Sequence, residues 1–152
     1  MSLRFIVLML VLAILAATIV AGVYFFSNNN ETVKRRLMTI KTNFGEIQFE
    51  TYDSDAPKAV DNFVKLAGKG FYNNLTFHRV EDWVIQGGDP DGNGTGGGSI
   101  PVEFNSKPFV VGAVGIASRG DGKVQNDAQF FITKKDSQFL NGQYTNFGIV
   151  KS

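Results

Sequence analysis

The chain of 152 residues contains no cysteine and a single histidine. Without cysteine it has no disulfide, no thiolate metal site, no thiol nucleophile and no lipid-modified cysteine. With one histidine, a metal site built from several imidazole ligands is excluded as well. The chain also lacks a strong charge of either sign, since its formal net charge is +1 and 19% of its residues are charged. These absences exclude disulfide scaffolds, zinc modules and chains with a long acidic or basic tail.

The length and composition of the chain are those of a folded protein with room for one domain. Hydrophobic residues make up 43% of the chain, which is enough to build a core. From residue 38 to the last residue there are 11 Lys and Arg against 13 Asp and Glu, a net charge of −2. A mildly acidic domain argues against nucleic acid as a partner.

One long apolar run occupies residues 5–26 (FIVLMLVLAILAATIVAGVYFF) and contains no charged residue. As a helix this run would be about 33 Å long, which matches a bilayer core of roughly 30 Å. A cleaved signal peptide is the alternative, but its apolar region is usually about 7–15 residues long and precedes a small-residue cleavage site. Only Ala21 and Gly22 offer such a site, and aromatic residues follow them. We therefore predict an uncleaved transmembrane anchor over residues 1–26, a linker over 27–37 and a domain over 38–152.

The two flanks of this run give conflicting indications of membrane orientation. Lys34, Arg35 and Arg36 follow the run and only Arg4 precedes it, so the count of basic residues favours a cytoplasmic domain. The very short leading tail instead resembles an export signal. We expect a single-pass anchored protein with its domain on the extracytoplasmic side.

The domain is predicted to be mainly β. Residues 38–52 alternate apolar and polar on both sides of Asn43–Gly45, which indicates a hairpin. Residues 57–68 place apolar side chains on one helical face, with Pro57 suited to the first turn and Gly68 to the C-terminal cap. Many short strands with one helix are typical of a small barrel or sandwich. Further strands are predicted over 76–80, 83–86, 109–117, 129–133 and 146–150, with a loop over 89–99.

Three motifs that suggest other chemistry lack their required context. Residues 89–94 match the first half of a calcium-binding loop, but Ile100 stands where a bidentate glutamate is needed. Residues 92–97 match GxGxxG, yet Pro101 follows where a dinucleotide site needs a helix. A Ser-His-Asp hydrolase would have to use His78, and no GxSxG turn is present.

After these exclusions, an arginine close to several aromatic residues is the remaining candidate for a functional residue. The order of the surrounding motifs determines how we interpret it. An isolated Arg79 on a strand would be read as a surface residue, and isolated phenylalanines as core. However, FHRV, VIQGGDP, NGTGG, GIAS, AQFFIT and FLNGQYTNFG occur in this order between residues 77 and 148. Together they closely resemble the cyclophilin family of peptidyl-prolyl cis-trans isomerases, over residues 38–150.

This resemblance implies a closed eight-stranded antiparallel barrel with a helix capping each end. Family members usually continue with a second helix and a last strand, which have no counterpart after Ser152. We therefore expect a cyclophilin-like barrel with one capping helix, incomplete at its C-terminus. The resemblance further implies a monomer that acts on proline-containing polypeptides without a cofactor or metal.

The resemblance also implies a set of site residues. Arg79 matches the catalytic arginine and Gln86 the glutamine that supports it. His78 is expected to be structural, because it lies on the opposite face of the strand from Arg79. The implied substrate-binding residues are Trp83, Val84, Gly94, Ala117, Ser118, Gln129, Phe131, Phe139, Leu140 and Tyr144.

Two departures from the family pattern affect the site. The link between Arg79 and Gln86 is one residue shorter than usual and carries two acids, so that Trp83 takes the position of a pocket phenylalanine. Phe139 stands where tryptophan is common, which makes strong cyclosporin binding doubtful. The leading hypothesis is an isomerase of X-Pro bonds that assists protein folding, and the alternative is a non-catalytic peptide-binding or chaperone module on the same fold.

Overall fold

The computed structural model describes residues 34–118 and 123–152. The predicted anchor over residues 1–26 lies outside this part of the chain. Within the described ranges no helix has both the length and the apolar character needed to cross a bilayer. The elements in these ranges are β1 (Leu37–Thr42), β2 (Gly45–Thr51), α1 (Pro57–Gly68), β3 (Arg79–Val80), β4 (Val84–Gly87), β5 (Ser99–Pro101), β6 (Ala113–Ile116), β7 (Val124–Asn126), β8 (Phe130–Thr133), a 3₁₀ turn (Gln138–Leu140) and β9 (Asn146–Val150).

Seven of these strands form one antiparallel sheet in the order β1-β2-β9-β6-β8-β4-β3. The other two, β5 and β7, pair with each other in a separate ribbon. Neighbours such as β2 and β9 are far apart in sequence, so the sheet depends on non-local pairing. The mainly-β class with one α-helix is confirmed.

The β1–β2 hairpin and the helix agree closely with their sequence patterns. Gly45 has a φ of +134° at the hairpin turn, a conformation that favours glycine. Helix α1 begins at Pro57 and buries Val60 and Phe63. Its cap differs from the expectation, because Lys69 rather than Gly68 is the C-cap residue and Gly70 takes the left-handed conformation with a φ of +70°.

The N-terminus of the helix is capped from a distance. Ala56 offers no side-chain cap. Instead the carboxylate of Glu103 accepts hydrogen bonds from the backbone N–H groups of Lys58 at 3.0 Å and Ala59 at 2.8 Å. A carboxylate in this place satisfies two otherwise unpaired donors and complements the helix dipole.

Several strands are shorter than their apolar runs suggest. Only Arg79 and Val80 of the predicted strand 76–80 have partners on β4, so β3 has two residues. Strand β6 starts at Ala113 because Gly112, with a φ of +82°, turns the chain just before it. The ribbon strands β5 and β7 were not predicted, since β5 begins at the end of a glycine-rich loop.

The main core lies between α1 and the sheet and is rich in phenylalanine. Phe63 of the helix packs against Phe49, Phe130 and Phe147, at centroid separations of 5.4–5.6 Å. Phe49 and Phe147 are fully buried. Edge-to-face and tilted packing of this kind adds to the hydrophobic stabilisation.

The predicted cyclophilin-like barrel, incomplete at its C-terminus, is seen in the described residues as an open curled sheet rather than a closed eight-stranded barrel. The sheet order ends at β1 and β3, which do not pair with each other. Residues of both end strands nevertheless line the same cleft, of about 1300 Å³, together with Phe63 and Phe130. The sheet is therefore curled into a half-barrel, because only curvature brings its two ends to one cleft.

Candidate active site

Arg79 and Gln86 are placed opposite each other by the β3–β4 pairing, in which they are direct partners. Nη1 of Arg79 lies 3.4 Å from Oε1 of Gln86, to which it donates a hydrogen bond. The side chain of Arg79 is 42% exposed, so the guanidinium can be reached from solvent. The predicted catalytic pair is thus brought together by strand register.

The short turn between these strands supplies a second partner for the arginine. Nε of Arg79 donates to Oε1 of Glu81 at 2.7 Å, and Nε1 of Trp83 donates to Oε2 of the same carboxylate at 2.9 Å. The guanidinium carbon also lies 5.5 Å from the centre of the Trp83 ring. The hydrogen bond with Glu81 raises the pKa of Arg79, and the same bond lowers the pKa of Glu81. Both groups are therefore charged at neutral pH.

A chain of side-chain amides extends from the arginine into the protein. Nε2 of Gln86 donates to Oε1 of Gln129 at 2.9 Å, and Nε2 of Gln129 donates to the carbonyl oxygen of Gly96 at 2.8 Å. Gln129 is buried. The amide nitrogen of each glutamine donates to the next residue of the chain, so its carbonyl oxygen faces the residue before it. Gln86 therefore presents an acceptor to Arg79.

A cluster of apolar side chains, which we call the Phe131 pocket, adjoins this polar chain through the pairing of Gln86 with Phe131 on β8. The ring of Phe131 stacks on Phe109 with centroids 5.6 Å apart, and the edge of Tyr144 meets it at 5.6 Å. Buried Val84 and Leu140 belong to the same cluster. Five predicted site residues therefore lie in one apolar group, made up of Trp83, Val84, Phe131, Leu140 and Tyr144.

Phe139 stands at the rim of this pocket rather than inside it. Its side chain is 63% exposed and its ring contacts Trp83 at a centroid distance of 5.4 Å. The neighbouring residue Leu140 is 6% exposed because the 3₁₀ turn directs it inward. The two adjacent residues thus form an outer and an inner part of the pocket wall.

Ala117 and Ser118 follow β6 beside the buried glutamine. The N–H of Ala117 donates to the carbonyl oxygen of Gln129 at 3.0 Å, and its own carbonyl oxygen accepts from Asn126 at 2.8 Å. Ser118 donates from Oγ to the carbonyl oxygen of Val124 at 3.1 Å. These bonds hold the segment against Gln129, so Ala117 and Ser118 border the amide chain.

Gly94, another predicted site residue, lies in the glycine-rich loop around Asp89. Its N–H donates to the buried carboxylate of Asp89, which also accepts from the N–H groups of Asp91, Asn93 and Gly96. Burial acts to raise the pKa of Asp89, but these four hydrogen bonds outweigh it and lower the pKa. The carboxylate thereby shapes the glycine-rich loop and places the Gly96 carbonyl where Gln129 reaches it.

Sequence reasoning noted Glu81 as one of two acids beside Arg79 that affect the site, without naming its hydrogen-bond partners, and it missed Phe109. Glu81 lies two positions after Arg79, which in an extended chain places it on the same face, so the period of two was a usable signal. Phe109 lies under Phe131 through a long-range contact that no local pattern indicates. Within residues 34–118 and 123–152, no cluster of three or more potential ligand side chains is arranged to hold a metal ion.

A permanent cation beside an apolar cluster, on a curled antiparallel sheet, is an arrangement that suits proteins which hold an apolar group of a ligand and donate hydrogen bonds next to it. The family model for cyclophilin type peptidyl-prolyl cis-trans isomerases matches residues 37–152. The chain belongs to this family, and both the family prediction and the isomerase prediction are confirmed.

Individual relatives agree with this assignment. A peptidyl-prolyl cis-trans isomerase of Dictyostelium discoideum, cypE, is 42% identical over 121 residues, covering 76% of this chain and 78% of the relative. One from Synechococcus elongatus is 43% identical over 112 residues, covering 72% and 76%. The cyclophilin type isomerase of Cryptosporidium parvum has a similar crystal structure, with a TM-score of 0.74, 36% identity and coverage of 78% and 79%. A second crystal structure of that protein was obtained in the presence of the dipeptide Ala-Pro, with a TM-score of 0.73 and 35% identity.

Proposed function

We propose that this isomerase acts on X-Pro bonds of extended polypeptides, with the proline ring in the Phe131 pocket and the guanidinium of Arg79 beside the rotating bond. The observation that carries this proposal is that one cation and one apolar pocket are joined by strand pairing, since Gln86 is the cross-strand partner of both Arg79 and Phe131. The Ala-Pro dipeptide used with the Cryptosporidium parvum relative supports a proline-containing ligand.

The chemistry requires no nucleophile, base or metal. Rotation about a peptide bond has a barrier of about 18–20 kcal/mol because the nitrogen lone pair is delocalised into the carbonyl group. For X-Pro the two isomers differ by only about 0.5–1 kcal/mol, so the equilibrium is balanced but slow. In the twisted state the prolyl nitrogen regains its lone pair and can accept a hydrogen bond.

Arg79 suits this task because its charge is permanent and its donors have fixed directions. It can donate to the twisted nitrogen or to the neighbouring prolyl carbonyl oxygen. The pocket holds the ring while the preceding carbonyl group rotates, and each 1.4 kcal/mol of preferential stabilisation of the twisted state accelerates rotation about tenfold. Gln129, Ala117 and Ser118 border the path that the substrate backbone takes, and Gly94 lines the neighbouring groove.

The direct test compares Arg79→Ala with wild type in a protease-coupled assay of an X-Pro peptide. The variant is expected to fold normally and to lose at least about tenfold in kcat/KM, because a transition-state donor is removed. Arg35→Ala serves as the matched control, since Arg35 pairs with Glu50 on the outer surface. Wild-type turnover by Arg79→Ala would overturn the proposed role.

The non-catalytic peptide-binding module is the second outcome of the same test. Binding of X-Pro peptides by wild-type protein, with no acceleration of a proline-limited refolding reaction, would select it. Retention of Arg79, Gln86 and Phe131 in one site favours the enzyme.

We also propose that residues 1–26 anchor this monomeric enzyme to a membrane, with the domain on the extracytoplasmic side. The support is the uncharged run of bilayer length in the sequence and the short tail that precedes it. The partners would then be proline-containing chains that fold near the membrane surface, and the acidic domain makes nucleic acid an unsuitable partner.

A further inference from the structure

The carboxylate of Glu81 is shared between the arginine and the tryptophan of the site. Oε1 accepts from Nε of Arg79 at 2.7 Å, and Oε2 accepts from Nε1 of Trp83 at 2.9 Å. Both oxygens are thus occupied by donors that belong to the proposed machinery. A glutamine at this position could accept from only one of these two donors. Its amide nitrogen would face the other N–H group, and two donors cannot form a hydrogen bond with each other.

The backbone that carries Glu81 is held firmly. The N–H of Glu81 donates to the carbonyl oxygen of Val84 at 2.9 Å, which closes a turn with only Asp82 and Trp83 at its tip. From β8's end, Lys134 donates its N–H to the carbonyl oxygen of Trp83 at 2.6 Å and its ammonium group to that of Glu81 at 2.7 Å. The carboxylate is therefore presented from a fixed turn.

This arrangement fixes the guanidinium at two points. The Nε–H donates to Glu81 and an N–H of Nη1 donates to Gln86, so these two hydrogen bonds restrict the plane of the guanidinium. The Gln86 bond is long at 3.4 Å, whereas the Glu81 bond is short and charge-assisted. Of the two, the carboxylate exerts the stronger hold on the arginine.

We propose that Glu81 is a positioning residue that orients Arg79 toward the bound X-Pro bond and links that orientation to the Trp83 wall of the pocket. The inference rests on the proposed function of Arg79. An exposed ion pair contributes little to stability, and the Glu81 side chain is 45% exposed. Removing the carboxylate therefore changes catalysis much more than folding.

The test compares Glu81→Gln with Asp82→Asn in the full chain. Both substitutions remove one negative charge from the same turn, but Asp82 lies exposed at its tip. In the protease-coupled assay we expect Glu81→Gln to lower kcat/KM by about three- to tenfold and Asp82→Asn to change it by less than about twofold. A Kd for an X-Pro peptide that changes by less than about twofold would place the loss in the transition state.

Coupling to Arg79 separates positioning from a general structural effect. In an Arg79→Ala background, measured at enzyme concentrations that raise residual turnover above the spontaneous rate, Glu81→Gln should change kcat/KM by less than about twofold. Trp83 is the single tryptophan and donates a hydrogen bond to Glu81, so the intrinsic tryptophan fluorescence should shift more in Glu81→Gln than in Asp82→Asn.

Two results would overturn the inference. One is wild-type kcat/KM in Glu81→Gln, and the other is an equal loss with and without Arg79. A wild-type protein that does not accelerate isomerisation would instead overturn the proposed function itself, and the two failures are distinguished by the wild-type rate.

Discussion

The side-chain amides of Gln86 and Gln129 are joined by a hydrogen bond of 2.9 Å from Nε2 of the first to Oε1 of the second. This bond joins β4 to the residue just before β8. It determines that the carbonyl oxygen of the Gln86 side chain, rather than its amide nitrogen, faces Arg79. If Gln86 were reversed, its amide nitrogen would point at Nη1 of Arg79, donor against donor. The hydrogen bond between Gln86 and Arg79 therefore depends on the buried side-chain amide of Gln129.

Replacing Gln129 with leucine is expected to reduce both stability and activity. The substitution keeps the approximate volume but removes the acceptor of Gln86 Nε2 and one of two donors to the Gly96 carbonyl oxygen, which keeps its hydrogen bond from Nδ2 of Asn126. Unsatisfied buried polar groups cost about 1–3 kcal/mol, so the free energy of unfolding should fall by that amount. Chemical denaturation and the isomerase assay measure the two effects. Exposed Gln138 provides the control, and equal behaviour of Gln129→Leu and Gln138→Leu would contradict the role of the amide chain.

Replacing Arg79 with lysine tests whether a positive charge alone is sufficient. Lysine keeps the charge but has no Nε–H for Glu81 and no planar fork, so the donor is no longer held at two points. We expect kcat/KM to fall at least about tenfold with an unchanged melting temperature. Arg35→Lys, on the outer surface, should leave kcat/KM unaltered. Full activity of Arg79→Lys would show that directionality is unimportant.

Gly115 lies directly beneath the proline pocket and leaves no space for a side chain. A Cβ at this position would stand 2.3 Å from Cζ of Phe131 and 2.7 Å from Cε1 of Phe109. Gly115→Ala should therefore displace the stacked rings and lower the free energy of unfolding by about 1–3 kcal/mol. Peptide affinity should weaken as well. Gly92→Ala is the comparison, since its Cβ would meet no atom within 4 Å although its φ of +68° adds local strain. Tight peptide binding by Gly115→Ala would contradict the assigned pocket.

The carboxylate of Asp89 should make the domain sensitive to acid. Its lowered pKa in the folded state means that its stabilising contribution is complete above the unfolded-state pKa of about 3.9 and is lost as the pH falls through the folded-state value. Asp89→Asn should thus be less stable than wild type at pH 7, and the difference should narrow toward pH 3. Urea unfolding at the two pH values measures this. A difference that stays constant with pH would show that the charge of Asp89 is not involved.

Deletion of residues 1–26 tests the proposed anchor. The full chain should sediment with membranes and resist extraction by high salt and alkaline carbonate, because an apolar run of bilayer length is held by burial in lipid rather than by charge. The shortened chain should remain in the supernatant. Recovery of the full chain in the supernatant after salt washing would exclude the anchor. Protease added outside intact cells or vesicles would report the side on which the domain lies.

Local pattern was sufficient for the elements whose residues are close together in the chain. Alternation on both sides of Gly45 predicted the first hairpin, and helical spacing predicted α1 to the residue. The alternation of apolar and polar residues did not predict strands that are defined by their pairing partners. Strands β5 and β7 have three residues each and are paired around Ile100 and Gln125. A run as short as this has no periodicity of its own to detect.

The site residues also divide into those that the sequence predicted and those that only the structure revealed. Arg79, Gln86, Phe131 and Leu140 were identified because an ordered series of motifs resembles a family, not because any one of them has a distinctive local pattern. Phe109 could not be found, since it precedes β6 and reaches Phe131 only because its backbone is hydrogen-bonded to the distant residues Ser137 and Asn141. Glu81 could have been found from its spacing, but its bond to Trp83 depends on the closing of the β3–β4 turn.

By itself, the amino-acid sequence determined the mainly-β class, the helix, the family and the arginine to which we assign the chemistry. These follow from side-chain type and spacing along the chain, which act over a few residues. Only the tertiary structure decided that the sheet curls with β1 and β3 unpaired, that Gln129 orients Gln86, and that Glu81 holds Arg79. Those relationships depend on strand register and on packing between segments that are far apart in sequence. Such contacts stabilise the structure only after folding has brought both partners together.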